Sequence, residues 1–373
     1  METVDQISLS KEPERITSVD FFRGFTMFLL AGESTWLYDH LLESQNGVIH
    51  FFGTQLSHHP WHGLRFWDLI QPFFMFIVGV AIPFAVRNRL KKGEDAGKIK
   101  LHAFRRALLL LFFGWALYFI EAGGHLVFHL QNVLAQLSVT YLVAFLIRDK
   151  SFRFQLVFTL ILLLAIDLAY RFFPVDGFNN PWVRFGDLGA WFNQVLEGQK
   201  DRTDWATLNF ISTTAHTVWG VMCGKLLMSD KKPGEKIKWL AAAGLAALVA
   251  GYALDLLDIT PIIKRIATVS FVFASGGWAI LVLCFCYWLI DVKKLFVKGS
   301  VFFTIVGTNS IFIYLFFSVG GSRLLKEILE PFGRLFFSWG GEMTVNIMTS
   351  LMIWAVLWYF CYWLFKRKIF FKI

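Results

Sequence analysis

The 373 residues are 56% hydrophobic and 18% aromatic but only 17% charged, and the mean hydropathy is +0.55. Soluble domains carry about 25% charged residues, so the composition excludes a soluble globular domain and points to a polytopic membrane protein. The net charge of +9 does not indicate nucleic-acid binding, because the basic residues are dispersed between apolar runs, where the positive-inside bias accounts for them.

Residues 1–16 read as a polar N-terminal segment. The apolar run that follows continues as a full span with no small-residue cleavage pattern, so a retained first helix is expected rather than a signal peptide. Ten segments approach the about 20 residues needed to cross a bilayer: 17–38, 64–86, 104–122, 130–147, 154–171, 209–228, 237–254, 268–290, 301–318 and 344–365. The expected fold is an all-α polytopic membrane protein, about ten transmembrane helices in a single bundle. One membrane domain covers 17–365 and a basic tail covers 366–373. Most lysines and arginines fall in alternate connections, including Arg87 to Arg106, Arg148 to Arg153, Lys231 to Lys238 and the tail. That bias places both termini in the cytoplasm and the three long connections, 39–63, 172–208 and 319–343, on the outer face. The 172–208 loop holds Trp182, Trp191 and Trp205 with Asp187, Glu197, Asp201 and Asp204. Aromatics with acidic groups suit a sugar or an amine; an interfacial aromatic belt reads the same way. No internal repeat or glycine-rich phosphate loop stands out.

The first span opens TSVDFFRG, where Thr17 or Ser18 can cap the helix. Asp20 and Arg23 are three apart and share a helix face, either as a structural ion pair or with Arg23 turned to an anion. Glu33 lies about 15 Å further along, in the outer half of the membrane. The most informative stretch is Ser57 to Ala85, where a histidine-rich loop runs into a long apolar segment carrying Asp68. A carboxylate inside a span costs about 2.5–3.5 kcal/mol at the centre and less near the interface, so it marks a functional site with a partner nearby. His58, His59 and His62 are the nearest partners. A carboxylate that orients a histidine is the arrangement of proton-transfer sites. His58 and His62 have the i, i+4 spacing of a zinc pair, but Pro60 interrupts them and no HExxH is present, so no metal is assigned.

Further along, His216 falls near the middle of the sixth span, with Gly220 and Gly224 forming a small-residue packing face. Asn309 in the ninth span either bonds across helices or contacts a ligand. His125 and His129, beyond Glu121, read as structural or interfacial. Cys223, Cys284, Cys286 and Cys361 lie in apolar runs, and no disulfide is expected.

Three motifs together resemble the transmembrane acyltransferase family of heparan-α-glucosaminide N-acetyltransferase and its bacterial relatives. They are RITSVDFFRG (Arg15 to Gly24), the set His58, Trp61, Gly63, Leu64, Asp68, Leu69, Pro72 and Gly79, and Gly307 to Ser310, with a weaker echo over Ser212 to Gly224. Gln136, Asn132, Thr214 and His216 depart from the family pattern. The resemblance implies that His58 is the active-site histidine and Asp68 its acidic partner. Acetyl-CoA would enter from the cytoplasm, and the amine of a small amino sugar would be acetylated outside. Glu33, Trp61 and Asn309 would meet the acceptor. Arg23, Ser212, Arg105 and Arg106 would meet coenzyme A, with Arg87 and Lys225 as further phosphate candidates; plain positive-inside topology accounts for each of these basic residues as well. His58 would act as a base or as an acetyl carrier. The implied setting is a bacterial inner membrane, and the aromatic surface permits a homodimer. The rival readings are a proton-coupled transporter of a small sugar or amine, using His58, Asp68, Glu33 and Arg23 as a relay, and an O-acyltransferase of envelope glycans.

Overall fold

The computed structural model describes residues 16–121, 128–197 and 203–371. Residues 1–15, His125 and Asp201, and the side chains of Glu121 and Glu197, lie outside that description. The helices are α1 (Thr17–Glu33), α2 (Leu37–Leu42), α3 (Gly47–Gln55), α4 (Ile70–Lys91), α5 (Ala96–Glu121), α6 (Val133–Ile147), α7 (Phe152–Arg171), α8 (Leu188–Glu197), α9 (Asn209–Met228), α10 (Pro233–Leu256), α11 (Val269–Cys286), α12 (Val297–Thr308), α13 (Ser310–Ser318), α14 (Gly321–Phe337) and α15 (Gly341–Lys366). A 3-10 turn, Phe66–Leu69, leads into α4, and a π turn, Tyr287–Val292, extends α11. Among the described residues the only extended pairing is an isolated bridge between His62 and Ile263.

All ten expected segments coincide with a helix or a bent helix pair, but fewer meet the requirement for crossing a bilayer. Among the described residues six stretches are long and apolar enough, seven if the pair α12–α13, bent by 59°, counts as one. The shortfall has physical reasons. α1 has 17 residues and α6 has 15, below the about 20 that span hydrocarbon. α9 is long enough but carries Ser212, Thr213, Thr214, His216 and Thr217. These polar side chains face protein, since all five are buried.

The core lies around α4, α9 and α11. The spans Phe66–Lys91 and Val269–Val292 are each 67% buried, against 22% for Phe152–Arg171 and 17% for Pro233–Leu256, which form the periphery. The anticipated small-residue face brings α9 onto α4. A Cβ on Gly220 or Gly224 would overlap the carbonyl of Phe76 or Val80, and one on Gly79 would overlap that of Thr217. Close backbone approach of this kind is how helices associate without a hydrophobic driving force.

Several local expectations change. Neither Thr17 nor Ser18 caps α1 with its side chain. Their backbone N–H groups instead donate to Asp291 at 2.8 and 3.0 Å, a carboxylate carried from the π turn. The connection 319–343 is not a plain loop, because α14 fills most of it. Leu324, Ile328, Phe332 and Leu335 lie exposed along one side of α14, among the charged Arg323, Lys326, Glu327, Glu330 and Arg334. The bend between α12 and α13 falls at Asn309. Thr308 Oγ1 and Ser310 Oγ donate back to the carbonyls of Ile305 and Gly307 at 2.7 and 2.8 Å, offering the backbone a local alternative to the helix ladder.

A second, smaller apolar cluster stands at one end of the bundle. It joins Ile166, Tyr170, Leu188, Ala206, Ile263 and Ile266, with Trp61, Trp182 and Trp191 packed on it. This cluster anchors the segments 203–208 and 257–268 beside the histidine loop.

Candidate active site

His58 and Asp68 meet as the sequence anticipates. The 3-10 turn gives the reason: Asp68 sits in its first turn and reaches back to cap it. Asp68 Oδ2 accepts from the backbone N–H of Arg65 at 2.9 Å and of His59 at 3.2 Å, leaving Oδ1 3.2 Å from His58 Nδ1. Arg65 secures the loop from the other side, donating to Ser57 Oγ and the His58 carbonyl at 2.8 and 3.0 Å. Asp68 is fully buried, while the His58 side chain is 34% exposed. With Nδ1 engaged, Nε2 is the ring nitrogen free for the cleft.

Two residues from outside the motif complete the group. Lys264, from the 257–268 loop, places Nζ 3.1 Å from His58 Nδ1 and 3.5 Å from Asp68 Oδ1, and it is buried. Trp205 meets the His58 ring edge-to-face at 5.4 Å. In the sequence Lys264 is one basic residue among many, and nothing local ties it to a histidine about two hundred positions earlier. Burial and the Lys264 charge hold the His58 imidazole below its usual pKa, against the pull of Asp68. Burial brings the Lys264 ammonium down to about 8, with Asp68 and Glu33 opposing the fall.

His58 opens on a cleft of about 340 Å³ that Glu33, Trp67, Gln71, Tyr118, Asn132, Trp205, Lys264 and Tyr314 also line. Glu33 Oε1 accepts from Trp67 Nε1 at 2.8 Å. Gln71 Nε2 donates at 2.9 Å to Gln136, which is fully buried and donates in turn to the Gln131 carbonyl at 3.1 Å. Asn132 is thus part of this cleft and Gln136 lies directly behind it.

At the other end of α4, α5 and α6 lies a second cleft, of about 320 Å³, lined by Arg89, His102, Arg105, Arg106, Tyr141 and apolar side chains. Arg106 lies over the Tyr141 ring at 4.8 Å, and its Nε has no hydrogen-bond partner among the described residues. Guanidinium groups held in a concavity fit phosphate. The same three helices wall both clefts. On α4 the lining passes from Phe74 to Ile82, a separation of about 12 Å.

The other anticipated site residues lie elsewhere. Trp61 donates to the Trp182 carbonyl at 2.8 Å in the second apolar cluster. Asn309 is fully buried and holds the chain end, donating to Ile369 O at 3.1 Å and accepting from Phe371 N at 3.0 Å. Arg23 pairs with Asp20 at 2.7 Å. Ser212 is buried, and its Oγ has no hydrogen-bond partner among the described residues. Lys225 donates to the carbonyls of Arg148 and Lys150. His62 turns away from His58 to Asp255 at 2.7 Å. Among the described residues no three His, Cys, Asp or Glu side chains are grouped to hold a metal ion.

No protein-family model matches the chain. Two curated proteins do. Heparan-alpha-glucosaminide N-acetyltransferase of Mus musculus is 25% identical over 99% of this chain, and that of Homo sapiens is 23% identical over 98%. The chain spans 63% and 61% of their respective lengths. Weak identity sustained from end to end makes this multi-pass, all-helical chain similar to the heparan-α-glucosaminide N-acetyltransferases.

Proposed function

We propose that the protein is a membrane-embedded acetyltransferase that moves the acetyl group of acetyl-CoA to the amine of a small, glucosamine-like amino sugar. The observation that carries the reading is the His58–Asp68 pair at the mouth of a cleft whose α4–α5–α6 wall leads to an arginine-lined cleft at the opposite end. The full reading has ten spans in a bacterial inner membrane, with the basic connections and both termini in the cytoplasm. The arginine cleft then faces cytoplasmic acetyl-CoA, and the His58 cleft faces outward.

Arg89, Arg105 and Arg106 hold the phosphates of the donor. Trp205 and Tyr314 supply flat surfaces for a sugar ring, and Glu33 attracts the amine while keeping its bond to Trp67. His58 Nε2 takes the proton released as the amine bonds to the acetyl carbon, and Asp68 holds the Nδ1–H and steadies the imidazolium. An acetyl-His58 intermediate uses the same atoms, with Nε2 as the nucleophile.

A proton-coupled transporter is the second reading, favoured by one observation, the broken pair α12–α13. Adding coenzyme A and, separately, glucosamine during thermal unfolding of the detergent-solubilised protein separates the two. Stabilisation by coenzyme A, followed by label transfer from acetyl-CoA to glucosamine, supports the enzyme. Stabilisation by the sugar alone, with no transfer, supports the transporter.

A further inference from the structure

The His58 ring has two polar neighbours on one nitrogen. Asp68 Oδ1 lies 3.2 Å and Lys264 Nζ 3.1 Å from the same Nδ1. Only two arrangements of a neutral ring satisfy them. In one, Nδ1–H and the ammonium both donate to Asp68, and the Nε2 lone pair faces the cleft. In the other, the ammonium donates into Nδ1, and Nε2–H faces the cleft. An imidazolium needs protons on both nitrogens, which sets its positive charge against a buried ammonium.

Lys264 is held in place rather than reaching in from solvent. Its loop is tied on three sides. Ile262 O accepts from Gly63 N at 2.8 Å, which fixes it to the histidine loop. Arg265 O accepts from Ala206 N and Asn209 Nδ2, each at 2.9 Å, which fixes it to the start of α9. Asp255 Oδ1 accepts from Ile262 N at 2.7 Å, which fixes it to the end of α10. A lysine stem immobilised by this much backbone serves as a fixed charge.

We infer that Lys264 is a positioning residue for His58: its buried ammonium keeps the resting imidazole neutral and shares Asp68 with it, so that Nε2 toggles between base and acid. The chemistry of this role rests on the acetyl-transfer reading; its electrostatics do not. In the transfer step the amine N–H proton goes to Nε2 as the C–N bond forms. The same proton then goes from Nε2 to the departing sulfur as the C–S bond breaks. The neighbouring ammonium makes the transient imidazolium a readier acid for that second transfer.

Lys264 and Arg265 bring positive charge to the ring, and Asp68 opposes them. Arg65 stands on the 3-10 side and His59 next in chain. Arg265 lies beyond Lys264, paired at 2.6 Å with Asp204, which Arg184 also contacts at 2.6 Å. His62 is occupied by Asp255. The opposing anions are Asp68 and Glu33. Burial lowers the Lys264 ammonium only to about 8, so it persists at neutral pH.

The test reads His58 directly. Diethyl pyrocarbonate modifies neutral imidazole, and tandem mass spectrometry separates His58 from His59. The extent of modification against pH gives the titration midpoint in the wild type, Lys264→Met, Lys264→Gln and Lys264→Arg, each checked for wild-type elution and unfolding. Removing a like charge in contact raises the His58 midpoint by about one pH unit in the Met and Gln variants, while Arg keeps it near wild type. The acid limb of kcat/KM for acetyl transfer moves the same way. An unchanged midpoint in Met and Gln overturns the inference. Wild-type protein that transfers no acetyl group overturns the acetyltransferase reading, while the midpoint still decides the role of Lys264.

Discussion

Asp68 ties the site to the fold, and its two oxygens do different work. Oδ2 holds the backbone of His59 and Arg65, and Oδ1 faces His58 and Lys264. Asp68→Ala therefore leaves a buried lysine without its carboxylate and orphans two N–H donors. Removing one partner of a buried pair costs about 3–5 kcal/mol. Each orphaned donor adds about 1–3 kcal/mol unless water enters. Lys264 can shed its proton, which caps the charge cost, yet the total remains comparable with the about 5–15 kcal/mol stability of a folded protein. Asp68→Asn behaves differently. Its amide oxygen can keep the two backbone bonds while its NH2 faces Nδ1. That NH2 donates into Nδ1 and forces the proton onto Nε2, so the base is lost while the fold survives. Acetyl transfer then falls about 10²–10⁴-fold, the usual worth of a positioned base. Thermal unfolding in detergent and initial rates, measured side by side, check both halves. Wild-type rates in Asp68→Asn, or wild-type stability in Asp68→Ala, would refute the division of labour between the two oxygens.

Two further outcomes follow from other parts of the molecule. Arg106→Gln keeps some polarity but loses the charge over Tyr141. It raises KM for acetyl-CoA about 10- to 100-fold, the loss of one charge-assisted bond, and leaves KM for glucosamine unchanged in steady-state kinetics. Burial holds the Asp187 carboxyl up at about 7, despite bonds from the Ala190 and Gly189 N–H groups. The folded state then binds more protons than the unfolded one. Stability from this group is complete below about pH 4 and is lost as the pH rises through about 7. Asp187→Asn cannot ionise, so its unfolding midpoint should lose that part of the pH dependence; an unchanged profile contradicts the assignment.

What could be read from the sequence was local. The His58–Asp68 pair lies ten residues apart around one turn, Asp20 and Arg23 share a helix face, and Arg105 and Arg106 sit on one short stretch of α5. Spacing alone brings each group together. The α4–α9 glycine contact was legible for the same reason, since a small-residue repeat on one helix needs only some partner. The contacts of Lys264 and Trp205 with His58, and the Gln71–Gln136 contact, were not, because they depend on how the second apolar cluster seats the 203–208 and 257–268 segments. Asn309 and Trp61 show the converse. Both lie in distinctive motifs, yet tertiary contacts direct Asn309 to the chain end and Trp61 to Trp182. α14 was missed as a helix because charged residues and Pro331 broke its apolar run into what scans as a loop.

The most direct test of the account is transfer of a labelled acetyl group from acetyl-CoA to glucosamine by purified wild type and His58→Ala, with stabilisation by coenzyme A followed in both. The expected outcome is that His58→Ala still binds coenzyme A and has lost transfer. Transfer that survives in His58→Ala would contradict the placement of the chemistry at His58.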